Sequence, residues 1–568
     1  MRIRLMIVLL GLLVVVPGTA QPVLEEIVVT ARKTVESLDD VPISVAVISG
    51  DKLDQMSISG LEELSGAMPN LQVNENATQQ TVTIRGIGSG ANQAFEQSVG
   101  TFIDGVYFGR GRSARNPFFD MERIEVLRGP QGILFGKNTI AGAINITTRK
   151  PTDEFEAHIH GEYFDEIDQW GISAAVSGPL SDRIRGRLAA RTVSSDGFMK
   201  NSFTGEDESG RDEYIVRGLL AFDISDTLDL MLKAEVAKYD VDGRNSQNVQ
   251  AGPLGGLYEA FDSSFESDLD YNKSTPGDDF DNTETGNFTA TLNWEPSDEW
   301  TFTSITSFVS YEFDNNIPAE FAPVPDYAEQ SNEQEHDQFA QELRALYNSP
   351  GGRMQIVGGI YWQQEELSIE ETFNFQLTNL INVGVGLFPL DSSIITFYDQ
   401  DTDSFAAFTE VRYNITESLT GSMGLRYTKD EKDVDKELLV ASLGTQTRNP
   451  GMEPFAAIIG RIPHAYDLSR EDTETSPAFG LQWHVSKDSM LYVSYSEGFK
   501  AGGFDAQNTA GMLALAEFDP EEAEAWEVGG KFTLADGRVK LNLAYFDNEF
   551  TDLQVAAFNG LVFSTTNA

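Results

Sequence analysis

From Phe155 onward, apolar and polar residues alternate with a period of two in run after run, and that pattern limits the fold more than any other feature. Phe155, Ala157, Ile159, Gly161 and Tyr163 share one face, against Glu156, His158, His160 and Glu162. Trp170, Ile172, Ala174 and Val176 repeat the pattern. Ile184, Leu188 and Ala190 alternate with Arg183, Arg185, Arg187 and Arg191. Leu228, Leu230, Leu232, Ala234 and Val236 oppose Asp229, Met231, Lys233 and Glu235. Successive side chains of a strand point to opposite faces, so these runs are strands. A soluble sandwich has the same period. The connections separate the two: short turns such as Ser177–Asp182 and Glu295–Asp298 take turns with long stretches, Asp240–Gly286 and Glu312–His336. Short turns on one side and long loops on the other are the habit of transmembrane barrels. Trp294, Trp300, Tyr361, Trp362, Trp483, Tyr492 and Tyr495 cluster near strand ends, where interfacial girdles belong. About 15 or 16 strands can be marked out in this way.

The N-terminus carries an export signal. Arg2 and Arg4 precede an apolar run from Leu5 to Val16 and a small-residue cleavage site, Gly18-Thr19-Ala20, so residues 1–20 read as a signal peptide. The run is too short to span a bilayer as a helix, which takes about 20 residues. An exported chain without a later apolar helix is either soluble or a closed barrel, because only helices and barrels satisfy every backbone polar group in lipid. The chain has no cysteine, which excludes disulfides and cysteine-ligated metals. A formal charge of −49 excludes a nucleic-acid binder, which needs a basic footprint, and points to a well-solvated exterior with acidic loops.

The stretch Arg123–Pro151, RIEVLRGPQGILFGKNTIAGAINITTRKP, resembles the central plug segment of TonB-dependent outer-membrane receptors. Glu25–Lys33, EEIVVTARK, is similar to the TonB box of the same family. Weaker matches continue through Gln341–Arg344, Gly424–Tyr427, Tyr495–Phe504, Trp526–Gly529 and Tyr545–Asp547. The resemblance implies an α+β plug domain inside an antiparallel transmembrane β-barrel in the bacterial outer membrane. The expected divisions are signal peptide 1–20, TonB-box segment 21–34, plug 35–151 and barrel 152–568. Plugged transporters of this kind close with about 22 strands, and Ser564–Ala568 is not the aromatic strand end usual in the family. The chain therefore reads as C-terminally truncated, about six strands short of a closed barrel. The implied partners are TonB, outer-membrane lipid, the barrel-assembly machinery and a small-molecule chelate. Iron enters only as part of that chelate, with no resident cofactor and no catalytic residues. The expected cargo is a ferric siderophore, with haem, vitamins, oligosaccharides, or surface binding without transport as alternatives. With no room for a signalling domain between Ala20 and Glu25, transport alone is expected.

Within that frame the short β-prone run Ile27, Val28, Val29 and Thr30 is the TonB-binding candidate, able to add as a strand to a partner sheet; the plainer reading is a first plug strand. Plug strands are expected at Ile43–Ile48, Thr81–Gly86 and Val99–Gly105, with a helix at Leu61–Met68. Outward plug loops, Gly88–Gln97 and Val106–Asn116, supply the ligand candidates Gln93, Tyr107, Phe108, Arg110, Arg112 and Arg115. Guanidinium groups suit anionic oxygen ligands, and they equally suit carboxylates on a barrel wall; both readings stand. Arg85 and Arg128 are candidate plug–barrel latch residues, with Glu342 and Glu410 as wall partners. Gly132–Asn138 is one residue short of a phosphate loop and lacks its hydroxyl residue, and Gly86–Gly90 lacks dinucleotide spacing. His158 and His160 share a strand face without a third metal ligand, and Asp278–Glu284 lacks the spacing of a helix-loop-helix calcium loop.

Overall fold

The computed structural model describes residues 28–30, 32–75, 80–90, 92–115, 118–247, 255–263, 265, 268–276, 279–318, 323, 327–379, 391–535, 537–558 and 563–568. The signal peptide, Glu25 to Ile27, Ala31, Asn116 and Asp278 lie outside the described residues.

The N-terminal third folds into a mixed globule. Two short strands, β1 (Val28–Val29) and β2 (Glu36–Ser37), pair antiparallel. The central sheet holds β3 (Val45–Ser49), β4 (Val99–Ile103), β5 (Val106–Phe108), β6 (Met121–Arg128) and β7 (Gly142–Thr148), in the order β3-β6-β7-β4-β5. β7 and β4 run parallel and the other neighbours antiparallel. Helices α1 (Gly50–Gln55) and α2 (Leu61–Ala67) turn Leu53, Leu61 and Leu64 onto this sheet, where they meet Ile124, Val126 and Ile144. Burial at nearly every position of β4 and β7 reflects a sheet covered on both faces. A smaller ribbon joins Gln80–Ile84 to Ile87–Gly88 through Arg85 (φ 54°) and Gly86 (φ 87°). Both turn residues have positive φ, the two-residue geometry that matches strand twist.

Most of the remaining described residues form one 15-stranded antiparallel sheet in sequential order. Its strands are β8 (Glu156–Phe164), β9 (Gln169–Ser181), β10 (Ile184–Ser195), β11 (Gly210–Ser225), β12 (Leu228–Asp242), β13 (Phe280–Ser297), β14 (Trp300–Pro318) and β15 (Ala328–Asn348). They continue as β16 (Met354–Phe375), β17 (Ser392–Asn414), β18 (Leu419–Ala441), β19 (His464–Ser486), β20 (Ser489–Lys500), β21 (Glu521–Leu534) and β22 (Val539–Thr551). A hairpin, β23 (Gln554–Phe558) and β24 (Phe563–Asn567), follows. Among the described residues, β8 and β22 each pair on one side only. The sheet wraps the globule: Ile305 and Val309 of β14 join its core, as do Val357 of β16 and Phe408 of β17.

The outer face is apolar in the middle and aromatic at its borders. Trp294 stacks on Phe302 (5.4 Å) near the short turns, and Phe308, Phe339 and Trp362 form a higher row (4.9 and 5.3 Å). Tyr361 and Tyr492, expected in the girdles, instead face inward. The Tyr361 hydroxyl donates to Gln363 and that of Tyr492 to Glu527. Strands also run well into stretches read as loops: β14 reaches Pro318 and β15 begins at Ala328, inside Glu312–His336. Above the higher aromatic row, exposed acids stand directly opposite one another. Asp337, Glu366, Asp401 and Asp433 form one row across four strands, and Asp399, Asp435 and Asp467 another.

Candidate functional site

At the short-turn end, β1 is docked on the globule. Val29 is buried with Leu38, Val41 and Leu127, while Val28 stays exposed. The Thr30 amide and hydroxyl donate to Glu125 of β6 (2.8 and 3.1 Å), and the hydroxyl accepts from Asn145 of β7 and from Arg123 (both 3.1 Å). A row of ion pairs then ties the following residues to the wall. Arg32 pairs with Glu410, Lys33 lies 3.5 Å from Glu342, and Glu36 pairs with Arg412. Burial lowers the Lys33 ammonium from its ordinary value, and Glu342 only partly restores it.

These pairings differ from the expected latch. Glu342 and Glu410 do hold cations, but those of the N-terminal segment, because β15 and β17 border that segment. Arg85 finds Glu527 on β21 instead (2.6 Å), with the guanidinium over the Phe546 ring at 3.7 Å. Glu527 also accepts from Tyr492 (2.7 Å) and from the Ser44 amide (2.9 Å). Arg128 forms no ion pair within 4 Å among the described residues. It donates to the Pro69 carbonyl (3.0 Å) and Ser44 Oγ (3.4 Å), and burial beside Arg85 lowers its pKa. Arg32, Arg85, Arg128, Glu410 and Glu527 line one cavity of about 110 Å³.

The glycine-rich loop after β6 presses against the wall. A Cβ on Gly132 would stand 2.7 Å from the Glu497 carbonyl, so no side chain fits there. Lys137 lies beyond it, 2.6 Å from Asp430 and 3.0 Å from Glu96; Lys432 reaches the same two acids at 3.3 and 2.9 Å. Burial alone would raise the Glu96 carboxyl, but Lys137 and Lys432 outweigh it and hold the group below the usual carboxylate range.

At the long-loop end the nominated apex residues are brought together, and each arginine already faces a carboxylate of the wall. Arg110 donates to Glu365 (2.7 Å) and to the Ala94 carbonyl (2.8 Å). Arg112 and Arg115 share Asp281 (3.5 and 2.5 Å) and lie over the rings of Phe313 and Tyr239. Of the two readings left open for these arginines, this geometry is the wall pairing. Tyr107 and Phe108 are buried; the Tyr107 hydroxyl accepts from Asn138 (3.1 Å) and its carbonyl from Gln338 (2.8 Å). Gln93 is buried with its Nε2 unpartnered. His158 and His160 are exposed on β8 and line a cavity shared with Asp54 and Glu63 of the globule. In the acidic stretch considered for calcium, Asp279 pairs with Arg244 and Lys273, and Asp281 with the two apex arginines.

Several contacts were beyond sequence reasoning. Glu365 and Glu36 carry no motif, and Glu527 and Asp281 lie in stretches whose resemblance or composition does not name their partners. The inner wall of β14 to β16 carries a neutral polar network. Tyr311 donates to Gln334 (3.3 Å) and stacks on His336 (4.9 Å), whose Nε2 is 3.5 Å from Glu365; Gln363 bridges Glu365 and Gln338 (3.0 and 3.4 Å). Asn332, Gln334, His336 and Gln338 recur at every second position, a signal that reading for apolar alternation overlooks. Asn92 of the globule donates to Asp505 (2.7 Å) and to Thr565 of β24 (3.0 Å), and Lys436 pins three carbonyls, those of Asp505, Ala506 and Asn508.

Two family models match the chain: the TonB-dependent receptor plug domain over residues 37–143, and the TonB-dependent receptor-like β-barrel over residues 220–568. Among curated relatives, the pesticin receptor of Yersinia pestis is 23% identical over 554 residues, covering 94% of this chain and 72% of the relative. The ferric-pyoverdine 358 receptor of Pseudomonas putida is 23% identical over 573 residues, covering 94% of this chain and 63% of the relative. Among solved structures, the ferric yersiniabactin uptake receptor of Yersinia pestis superposes with a TM-score of 0.74 at 20% identity, over 90% of this chain and 73% of that one. The ferripyoverdine receptor of Pseudomonas aeruginosa gives 0.65 at 20% identity, over 93% and 66%.

Proposed function

The chain belongs to the TonB-dependent receptor family, whose members are β-barrels of the Gram-negative outer membrane, and from that premise we propose that it imports a ferric siderophore by TonB-driven transport. The relatives named for ferric-pyoverdine and ferric yersiniabactin support iron chelates as cargo. One observation carries the mechanism. The N-terminal strand is fastened through Thr30 to β6 and β7, while β4, hydrogen-bonded to β7, leads through β5 to the apex at Tyr107 and Arg110. The pulling end and the ligand end are thus ends of one small sheet.

The outer membrane has no energy source of its own, so the work is mechanical. Ligand arriving at the apex loosens the docked strand. Val28, the exposed residue of β1, then presents an edge to which TonB adds a strand by main-chain hydrogen bonds. β2 already occupies that edge, and the pairs of Arg32, Lys33 and Glu36 hold it closed, so undocking precedes pulling. The ligand that favours release is itself held differently once TonB is engaged, because coupling between two sites is reciprocal.

Val28→Pro tests this. It removes a backbone donor from the pairing strand. Uptake of iron-loaded chelate should fall to background while binding to whole cells stays unchanged. Uptake at the wild-type rate sinks the energised reading and leaves a surface receptor that binds without transport.

A further inference from the structure

We propose that the imported chelate is uncharged or cationic, and that neutral carboxamides rather than guanidinium groups recognise it; the proposal rests on the uptake reading above. The basic apex loop invites the opposite expectation, a polyanionic ligand. Its charges are nonetheless committed. Arg110 is matched by Glu365, Arg112 and Arg115 by Asp281, and Lys137 by Glu96 and Asp430. The side chains of Glu365, Asp430 and Glu96 are 1%, 0% and 2% exposed, so an anion that drew the cations away would strand buried carboxylates. An anion that left the pairs intact would lie against those same acids. Of the deeper cations, Lys436 is taken by three carbonyls, while Lys500 sits over the Phe95 ring at 4.6 Å and has no hydrogen-bond partner among the described residues.

The approach to the site is acidic as well. The row through Asp337, Glu366, Asp401 and Asp433 crosses four neighbouring strands on the outer face, in a chain of formal charge −49. Such a field repels anions and concentrates cations at the mouth. Apart from Lys500, the apex groups left without a partner among the described residues are carboxamides. Gln93 Nε2, both amide atoms of Gln97, and Asn332 Nδ2 are buried without a hydrogen-bond partner. Unpartnered buried polar atoms cost stability, so a ligand presenting carbonyl-type oxygens and N–H groups gains by satisfying them. Hydroxamate and amide-rich chelates fit that chemistry; tris-catecholates, triply anionic with iron, do not.

The test measures binding of ferric chelates in three charge classes to the purified full chain, by quenching of tryptophan fluorescence. The probes are ferrichrome and other neutral trihydroxamates, ferrioxamine B and other cationic ones, and ferric enterobactin and other tris-catecholates. The neutral or cationic class should bind at least tenfold tighter than the anionic class, with the gap narrowing as salt is added. Glu365→Gln and, independently, Asp281→Asn should each narrow it further by freeing a guanidinium. Equal or tighter binding of the anionic class overturns the inference while uptake stands. Failure of every ferric chelate to bind the folded protein overturns the uptake reading, and this inference with it.

Discussion

Glu527 gathers donors from three places in the chain: Arg85, the Tyr492 hydroxyl and the Ser44 amide. Arg85→Ala removes the only charged one and leaves a buried carboxylate. Loss of one member of a buried pair costs about 3–5 kcal/mol, so the plug should unfold at markedly lower urea concentration. Glu527→Gln, which removes the stranded charge as well, should cost less in the same measurement. Glu96 gives a pH prediction whose sign follows from its folded state. Its carboxyl is held below the ordinary range, so its contribution is complete above about pH 4.3 and is lost as pH falls toward the folded value. Urea stability should decline on acidification, and Glu96→Gln should flatten that decline. Arg85 was legible from its motif. Its partner lies 442 residues away, and no periodicity carries register over that distance.

The strands show why alternation found most of the sheet but misjudged its height. In β12 one face is apolar and the other charged, so the period of two is plain. In the upper half of β15, Asn332, Gln334, His336 and Gln338 face inward while Glu333, Glu335 and Asp337 face out. Both faces are polar, the apolar period vanishes, and a strand takes on the composition of a loop. The acidic rows carry their own energetic consequence, because like charges directly opposite on neighbouring strands repel. Asp401 faces Glu366 on one side and Asp433 on the other. Asp401→Asn should therefore stabilise the sheet by about 0.5 kcal/mol, read as a small upward shift in the thermal unfolding midpoint. The shift should shrink as added salt screens the row.

For the whole molecule, the N-terminal segment joins globule and wall by charge at the short-turn end, beside the Arg85–Glu527 pair. Glu410→Gln weakens the Arg32 contact and should increase capture of a TonB C-terminal fragment in the absence of ligand, narrowing the difference that ligand makes; unchanged capture would mean that the pair does not govern docking. The acidic rows also act at this scale. They begin one step above the Phe308–Phe339–Trp362 row, so aromatic residues give way to carboxylates over a few ångströms of height. Sinking the barrel would drag these rows of carboxylates into oil, and lifting it would expose the apolar band to water. The boundary is therefore a waterline fixed by the sequence, and it fixes how far the mouth stands clear of the surrounding lipid.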